Sequence, residues 1–306
     1  MVSRDDVLRA RPVVERHLVR TPMLSSRTLG ARLKCELFQR TGSFKPRGAL
    51  NKLASLTDEE KQRGVIAISA GNHAQAAAFA AREYGVDALV VMWQGASEQK
   101  ISATRGYGGH VDLEATDPAS AFERLHALIE ETGRTLVHPF DDPLVLAGAG
   151  TVGLEIEEDA PDADAVIVAV GGGGLVGGIT AALGAHGPIR IVAVEPETSK
   201  ALHAGIEAGE PVPVTPTSIA DGLNAPFAGR LPIELTRDLE RVLVTEDEIE
   251  DAFRFLYQRA KLAVEPAGAA ATAALLAGKV QAERPVVVVS GGNVAAQTAS
   301  GILEKR

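Results

Sequence analysis

The sequence predicts an α/β protein with two doubly wound domains, each built on a mainly parallel sheet. From residue 64 onward, short runs of β-branched residues alternate with alanine-rich stretches of helical length, and glycine or small-residue turns separate them. This alternation is typical of a parallel sheet covered by helices on both faces. The chain has 306 residues, of which 45% are hydrophobic, so it can bury two substantial cores.

The first series of strands and helices extends from residue 64 to residue 140. Its predicted strands are short and rich in β-branched residues: "GVIAIS", "VDALVVM", "HVDLEA" and "RTLVHPF". The predicted helices lie between them: "HAQAAAFAAREYG", "QKISATRGYGG" and "PASAFERLHALIEETG". We assign this series to a small domain, residues 56–141, inserted into a large domain of residues 1–55 and 142–306.

The second series begins at "ADAVIVAV", continues through "GGGGLVGGITAALGAHG" and "IRIVAVE", and ends at "ERPVVVVSGGN". Five prolines interrupt it between residues 209 and 233, which predicts a loop there. Thr245 and Glu248 have the spacing of a capping box before an amphipathic helix.

Charge and cysteine content limit the classes of function. The net charge of −9 gives no basic surface for nucleic acid and no attraction to an anionic membrane, and no run approaches the ~18 apolar residues of a membrane span. Cys35 is the single cysteine, and the first 17 residues have mixed charges without an apolar core. We therefore expect a cytoplasmic protein without an internal disulfide.

Four unusual loops are predicted where ligands bind in open parallel sheets, beyond the carboxyl ends of the strands. We call them the lysine loop (41–45, "TGSFK"), the asparagine loop (69–73, "SAGNH"), the glycine loop (171–174, "GGGG") and the C-terminal loop (290–293, "SGGN").

The glycine loop follows a strand and precedes a helix, so its amides and the helix dipole favour a phosphate group. A tight turn without a ligand is the simpler alternative. A second alternative is a nicotinamide dehydrogenase, because Gly172, Gly174 and Gly177 spell G-x-G-x-x-G and Glu195 follows about 20 residues later.

The asparagine loop offers a hydroxyl, an amide and backbone donors at a helix start, which suits a carboxylate. Ser69 or Asn72 could instead act only as an N-cap. Lys45 could be an exposed lysine, or it could activate Ser43 as a Ser-Lys hydrolase pair. A desolvated lysine amine also forms Schiff bases, and together with a phosphate site and a carboxylate site it indicates pyridoxal phosphate.

The motifs "TGSFKPRGA", "SAGNHAQ", "GGGGL", "VEPAGA" and "SGGN", in this order, resemble the fold-type II pyridoxal phosphate enzymes, and among them the threonine/serine dehydratases. "TP" at 21, "HPFDDP" at 138, "IADG" at 219 and "VTEDEI" at 244 extend the resemblance over nearly the whole chain. The resemblance implies a tryptophan synthase beta-like fold, a homodimer, and conversion of L-threonine or L-serine to a 2-oxo acid and ammonia by α,β-elimination.

The resemblance also implies roles for individual residues. Lys45 would hold the cofactor as a Schiff base and would also be the catalytic base. The implied cofactor-binding residues are Phe44, Lys45, Asn72, Gly171, Gly172, Gly173, Gly174, Glu265 and Ser290. The implied substrate-binding residues are Ser69, Asn72 and His73, which would hold the carboxylate.

Two departures from related enzymes limit the resemblance. Serine racemases, which are related, have a second serine as an acid/base where this chain has Ala70, so dehydration is favoured over racemisation. Some family members bind a divalent cation through a glutamate at the position of Glu195 and an aspartate six residues later, but Ala201 stands there. We therefore assign no metal and expect Glu195 to cap its strand.

Overall fold

Ten strands and thirteen α-helices form the part of the chain that a computed structural model describes, residues 1–305. The strands are β1 (Met23–Ser26), β2 (Ala31–Cys35), β3 (Val65–Ile68), β4 (Ala88–Trp93), β5 (His110–Ala115), β6 (Thr135–Leu136), β7 (Ala165–Ala169), β8 (Arg190–Pro196), β9 (Glu240–Val244) and β10 (Pro285–Val289). They form two separate sheets.

The helices connect and cover these strands. They are α1 (Arg4–His17), α2 (Pro46–Ala54), α3 (Asp58–Arg63), α4 (Asn72–Glu83), α5 (Glu98–Gly106), α6 (Pro118–Thr132), α7 (Pro143–Asp159), α8 (Gly174–Leu183), α9 (Ala201–Ala208), α10 (Arg230–Thr236), α11 (Glu246–Phe255), α12 (Pro266–Leu276) and α13 (Ala296–Glu304). Short 3₁₀ turns at Glu36–Phe38, Arg40–Gly42 and Asp221–Leu223 and a π-helical turn at Leu256–Ala260 complete the described elements.

The larger sheet has the strand order β1-β2-β10-β7-β8-β9, and the smaller sheet has the order β5-β4-β3-β6. Every strand pair is parallel except β1 with β2. The prediction of two mainly parallel sheets is confirmed. Within each sheet, successive strands are added first on one side and then on the other side of a starting strand, β7 in the larger sheet and β3 in the smaller. Such a reversal of strand order opens a ligand crevice at the carboxyl ends of the strands.

The central strands of the larger sheet are buried on both faces. Val166 and Val168 of β7 lie in one hydrophobic core with α1, α7, α8 and α10, whereas Ile167 and Ala169 lie in a second core with α11 and α12. Side chains alternate between the faces of a strand, so a strand covered on both sides must be apolar throughout. This explains why "AVIVA" and "PVVVV" contain no polar residue.

The smaller sheet is covered in the same manner. One face packs on α2 and α4, and the other face packs on α6. The alanine-rich helix α4 is buried along most of its length, because small side chains allow its backbone to approach the sheet closely. Since α2 contacts both α4 and α7, it joins the two sheets.

The strands of the smaller sheet all come from within residues 56–141, and those of the larger sheet lie outside that range. The domain boundaries stay a prediction. Among the described residues, no helix has both the length and the hydropathy needed to cross a membrane.

Two local predictions differ from the structure. The strand predicted over residues 134–140 is limited to β6, because the chain leaves the sheet at Val137 and turns toward the cleft. The loop predicted over residues 209–233 already contains the first turn of α10. The capping box of α11 is confirmed: Glu248 N donates to Thr245 Oγ1 at 3.2 Å and Thr245 N donates to the Glu248 carboxylate at 2.8 Å.

Candidate active site

The lysine loop and the C-terminal loop lie side by side at the carboxyl end of β10. Phe44 N donates to the Ser290 carbonyl oxygen at 3.1 Å, and Gly292 N donates to the Gly42 carbonyl oxygen at 2.9 Å. An isolated antiparallel bridge joins Ser43 to Gly291 between these two bonds. The backbone therefore holds two loops together that are about 250 residues apart in the sequence.

Lys45 occupies the N-cap position of α2, with Pro46 as the first helical residue. Its Nζ donates to the Pro139 carbonyl oxygen at 2.9 Å and lies 5.1 Å from the centre of the Phe44 ring. Burial of the amine lowers the pKa of Lys45 to about 8, and the nearby Glu265 carboxylate acts in the opposite direction. A lysine with this pKa is partly neutral near physiological pH and can act as a nucleophile.

The lowered pKa of Lys45 leads to a pH prediction for the apoprotein. Capture of the aldehyde of added pyridoxal phosphate needs the neutral amine, so its rate should rise with pH and level off above about 8. For an ordinary lysine, with a pKa of ~10.4, the rate of capture would continue to rise between pH 8 and pH 10. Stopped-flow absorbance between pH 6 and 11 measures this, and a rate still climbing at pH 10 would contradict the assignment.

The Ser-Lys hydrolase alternative is not supported by the geometry. Ser43 Oγ is buried and has no hydrogen-bond partner within residues 1–305, and Lys45 Nζ is bound to Pro139 instead. The two side chains therefore do not form the hydrogen bond by which a lysine would activate a serine.

The asparagine loop leads into α4 without a side-chain cap. Its N-cap is Gly71, and Ser69 Oγ accepts a hydrogen bond from Gly71 N at 3.1 Å inside the loop. Asn72 does not cap the helix, because its Nδ2 donates to Glu265 Oε1 at 2.6 Å and its Oδ1 accepts from Asn293 at 2.8 Å. Within the described residues, no side chain caps the first amides of α4, so these amides suit an anion.

The imidazole of His73 is not placed to donate a hydrogen bond to the substrate carboxylate. It is buried, and its Nε2 lies 2.7 Å from the Val137 carbonyl oxygen, which requires the proton to be on Nε2. Burial lowers the pKa of His73 to about 3, with Lys45 contributing in the same direction, so the ring is neutral. We infer that the contribution of His73 to anion binding is its backbone amide in the first turn of α4.

The glycine loop has no room for side chains. A Cβ on Gly171 would lie 3.0 Å from the Leu223 backbone, one on Gly174 would lie 3.0 Å from the Phe140 backbone, and one on Gly172 would overlap the Phe140 ring. Gly173 has a φ of 92°, which other residues rarely adopt, and forms the N-cap of α8 without a side-chain cap. The loop therefore presents bare amides at a helix N-terminus.

Replacing Gly172 by alanine should reduce the affinity for pyridoxal phosphate by about tenfold or more, because the added methyl group forces Phe140 or the loop to move. Equilibrium dialysis of the cofactor measures the change. Gly301→Ala is a suitable control, since no atom lies within 4 Å of the position that its new Cβ would occupy. Equal affinity in both variants would show that the glycine loop does not hold the cofactor.

The structure gives Glu195 a role that was not predicted from the sequence, the capping of α9. Its carboxylate is buried and accepts hydrogen bonds from Leu202 N at 2.7 Å and His203 N at 2.9 Å, so it caps α9 and not its own strand. Burial raises the pKa of Glu195 to about 8. A carboxylate enclosed in this way cannot bind a ribose, which argues against the nicotinamide alternative. No cluster suited to a metal ion occurs within the described part of the chain.

Glu265 lies beside Gly291, the residue that follows Ser290 in the C-terminal loop. Ser290 directly follows β10, and Glu265 N donates to the carbonyl oxygen of the neighbouring Gly291 at 3.2 Å. Glu265 is only 3% exposed, and burial raises its pKa to about 7. Glu265 and Ser290 are both buried, and Glu265 contacts the asparagine loop through Asn72.

Three residues of the cleft were not assigned from the sequence. Pro139 accepts from Lys45, Asn293 binds Asn72, and Arg47 forms a buried ionic network behind Lys45. Asn293 and Pro139 belong to the motifs "SGGN" and "HPFDDP", so membership of a motif could have indicated a role in the site. Their partners are distant in sequence, so spacing alone could not identify them.

The cleft fits pyridoxal phosphate. The buried amine of Lys45 can bond to the aldehyde, the bare amides of the glycine loop can hold the phosphate, and Ser290 and Asn72 can reach the ring between them. A side chain larger than hydrogen in the glycine loop would collide with neighbouring residues, so the loop could not keep the conformation that presents its amides.

Comparison with known proteins agrees with this site. The model of the family described as "Pyridoxal-phosphate dependent enzyme" matches residues 14–292. The L-threonine dehydratase catabolic TdcB of Escherichia coli (strain K12) is 42% identical over 307 residues, which cover 96% of this chain and 93% of that protein.

Two solved structures are similar over nearly the whole chain. The maize serine racemase superposes with a TM-score of 0.93 at 35% identity, covering 98% of this chain and 96% of that chain. The threonine deaminase of T.th. superposes with a TM-score of 0.89 at 38% identity, covering 96% of this chain and 99% of that chain. The chain therefore belongs to the fold-type II pyridoxal-phosphate dependent enzymes, in the family of the threonine dehydratases. The predictions of family, fold and cofactor are confirmed.

Proposed function

We propose that this protein is a pyridoxal phosphate-dependent dehydratase that converts L-threonine, L-serine or both to the 2-oxo acid and ammonia. The observation that carries the proposal is that Lys45, the start of α4 and the glycine loop all contact the same segment, residues 137–140. Lys45 binds Pro139, His73 binds Val137, and the glycine loop lies against Phe140. The similarity to threonine dehydratases over nearly the full length supports the same reaction.

We assign the cofactor to the larger domain, residues 1–55 and 142–306, and the substrate carboxylate to the smaller domain, residues 56–141. Phe44, Lys45, the glycine loop, Glu265 and Ser290 surround the cofactor in this assignment, and Asn72 reaches its ring oxygen. Ser69 and the amides of Asn72 and His73 bind the carboxylate, because that end of α4 has bare donors and a favourable dipole.

Bound pyridoxal phosphate supplies an electron-accepting ring that makes the α-proton of an amino acid acidic. With the cofactor bound, Lys45 Nζ would accept this proton, since its side chain would be held beside the carbon that loses it. The Cβ–O bond would then break with its electron pair going to oxygen, and the hydroxyl would leave with one proton as water, so that the α-proton and the β-hydroxyl together make up the one water lost. Hydrolysis of the resulting enamine returns one water and yields the 2-oxo acid and ammonia.

Racemisation is the second candidate, because a serine racemase is among the similar structures. It needs a second acid/base on the opposite face of the substrate from Lys45. The asparagine loop has Ala70 beside Ser69, and alanine has no ionisable group. The site therefore supports elimination better than racemisation.

The test is incubation of the purified protein with L-threonine, L-serine, D-serine and 3-hydroxyaspartate, with assays for ammonia, 2-oxo acid and D-amino acid. Stoichiometric ammonia and 2-oxo acid from L-threonine or L-serine is the expected result. D-Serine as the main product from L-serine would favour racemisation, and reduction of a nicotinamide cofactor without ammonia would contradict the proposal.

We also propose that the protein acts as a homodimer. Val19 and Phe38 are 44% and 51% exposed, and hydrogen bonds between Val19 and Gln39 hold the two segments together. Apolar side chains grouped at the surface are typical of a contact between subunits. Light scattering on the eluting protein should give twice the chain mass, and a monomer at all concentrations would contradict this.

A further inference from the structure

One side chain, the carboxamide of Asn293, connects the lysine loop to the asparagine loop. Its Nδ2 donates to the Thr41 carbonyl oxygen at 2.7 Å and to Asn72 Oδ1 at 2.8 Å. Asn293 itself belongs to the C-terminal loop, so three loops meet at one amide group.

The donor and acceptor in these hydrogen bonds are determined by the backbone carbonyl of Thr41. A backbone carbonyl only accepts hydrogen bonds, so the nitrogen of Asn293 must face Thr41. The same nitrogen faces Asn72 Oδ1, which turns Asn72 Nδ2 to the other side, where it donates to Glu265 Oε1 at 2.6 Å. A fixed carbonyl thus determines which edge of the Asn72 amide faces the cofactor side of the cleft.

The turn that carries this carbonyl is an unusual one. Thr41 has a φ of 62°, a conformation that a β-branched residue rarely adopts, and Gly42 follows with a φ of 73°. A Cβ on Gly42 would overlap Asn293 Oδ1. The strained turn and the glycine therefore accommodate Asn293 and aim the Thr41 carbonyl at it, which is how strain is commonly used at functional sites.

We infer that Asn293 is a positioning residue that orients Asn72 toward the ring oxygen of pyridoxal phosphate. The inference rests on the proposed assignment of Asn72 to that oxygen. Nδ2 of Asn72 carries two N–H bonds; one is donated to Glu265, and the other makes no hydrogen bond within residues 1–305 and is available to the cofactor.

The sharpest test is Asn293→Asp, which keeps the size of the side chain but replaces its donor by an acceptor. The amide of Asn72 should then flip or lose its fixed orientation. The dissociation constant for pyridoxal phosphate should rise about tenfold, as expected for the loss of one hydrogen bond to a charged oxygen. The pH midpoint of the visible absorbance should move to higher pH, because the ring oxygen loses a donor that stabilises its anionic form.

Asn51→Ala is the matched control. Asn51 Nδ2 donates to the Leu144 carbonyl oxygen at 2.8 Å, so this variant also loses an asparagine hydrogen bond, but outside the four loops. It should lower the melting temperature and leave the cofactor affinity and the pH midpoint unchanged. If Asn293→Asp behaves in the same way as Asn51→Ala, its role is only structural and the inference is wrong.

Asn72→Ala and the double variant Asn72→Ala/Asn293→Asp separate this inference from its premise. The double variant should have the same cofactor affinity and the same pH midpoint as Asn72→Ala alone, because both changes remove the same contact to the cofactor. If Asn72→Ala shifts the midpoint but Asn293→Asp does not, the role of Asn293 is refuted while that of Asn72 stands. If Asn72→Ala leaves the midpoint unchanged, both assignments fail.

Discussion

Replacing Lys45 by alanine should abolish both turnover and the visible absorbance of the bound cofactor. The amine of Lys45 is the group proposed to bond to the cofactor and to remove the α-proton, so one substitution removes both actions. The rate should fall by at least about 10⁴-fold, in the range found when a nucleophile and general base are lost together. Absorbance spectra and ammonia release measure the two effects.

Lys52→Ala provides the control for Lys45→Ala. Lys52 lies in the same helix, α2, and forms an ion pair with Asp142 at 2.7 Å. Its loss should leave the spectrum and the rate close to those of the wild type. If Lys45→Ala retained either the absorbance or measurable turnover, another residue would have to be the Schiff-base lysine.

Replacing Arg47 by methionine should destabilise the fold by about 3–5 kcal/mol, the usual effect of removing one partner from a buried ion pair. Arg47 is fully buried and donates to both oxygens of Glu36 at 2.8 Å and to both oxygens of Glu155 at 2.7 and 3.0 Å. Glu155 also pairs with Lys34 at 2.6 Å, and this ion pair is expected to remain in the variant. Glu36 is therefore the carboxylate that loses its ionic partner.

Urea unfolding followed by circular dichroism measures this loss, with Arg190→Met as the control. Arg190 pairs with Glu240 at the surface, and its loss should cost at most about 1 kcal/mol. A second variant, Arg47→Met/Glu36→Met, should recover part of the stability, since it removes the carboxylate that Arg47→Met leaves alone. A single Arg47→Met variant as stable as Arg190→Met would contradict the prediction.

The buried network of Arg47 also has a consequence for the site. Arg47 lies two residues after Lys45, in the first turn of α2, and ties that turn to Glu36 after β2 and to Glu155 in α7. The helix start that carries Lys45 is therefore anchored from behind by a guanidinium that has no contact with solvent. Such anchoring restricts the position of the lysine, as a reactive side chain requires.

Several features of this protein were predictable from the sequence, because they depend on local order along the chain. The alternation of apolar runs and alanine-rich stretches predicts two parallel sheets, and "PVVVV" and "AVIVA" predict strands buried on both faces. Glycine at four consecutive positions predicts bare amides at a helix start, and the order of the short motifs implies a Schiff-base lysine at position 45 through the family resemblance. These predictions follow from the order of residues along the chain and need no knowledge of their neighbours in space.

Only the tertiary structure decided which side chains bind one another. Asn72 and Asn293 are separated by 221 residues, and Arg47 and Glu155 by 108 residues. It likewise showed that Glu195 caps α9, that the His73 ring binds Val137, and that the chain leaves the smaller sheet after β6. The physical reason is that a hydrogen bond requires two atoms within about 3 Å, and their separation in space is set by the packing of the whole sheet.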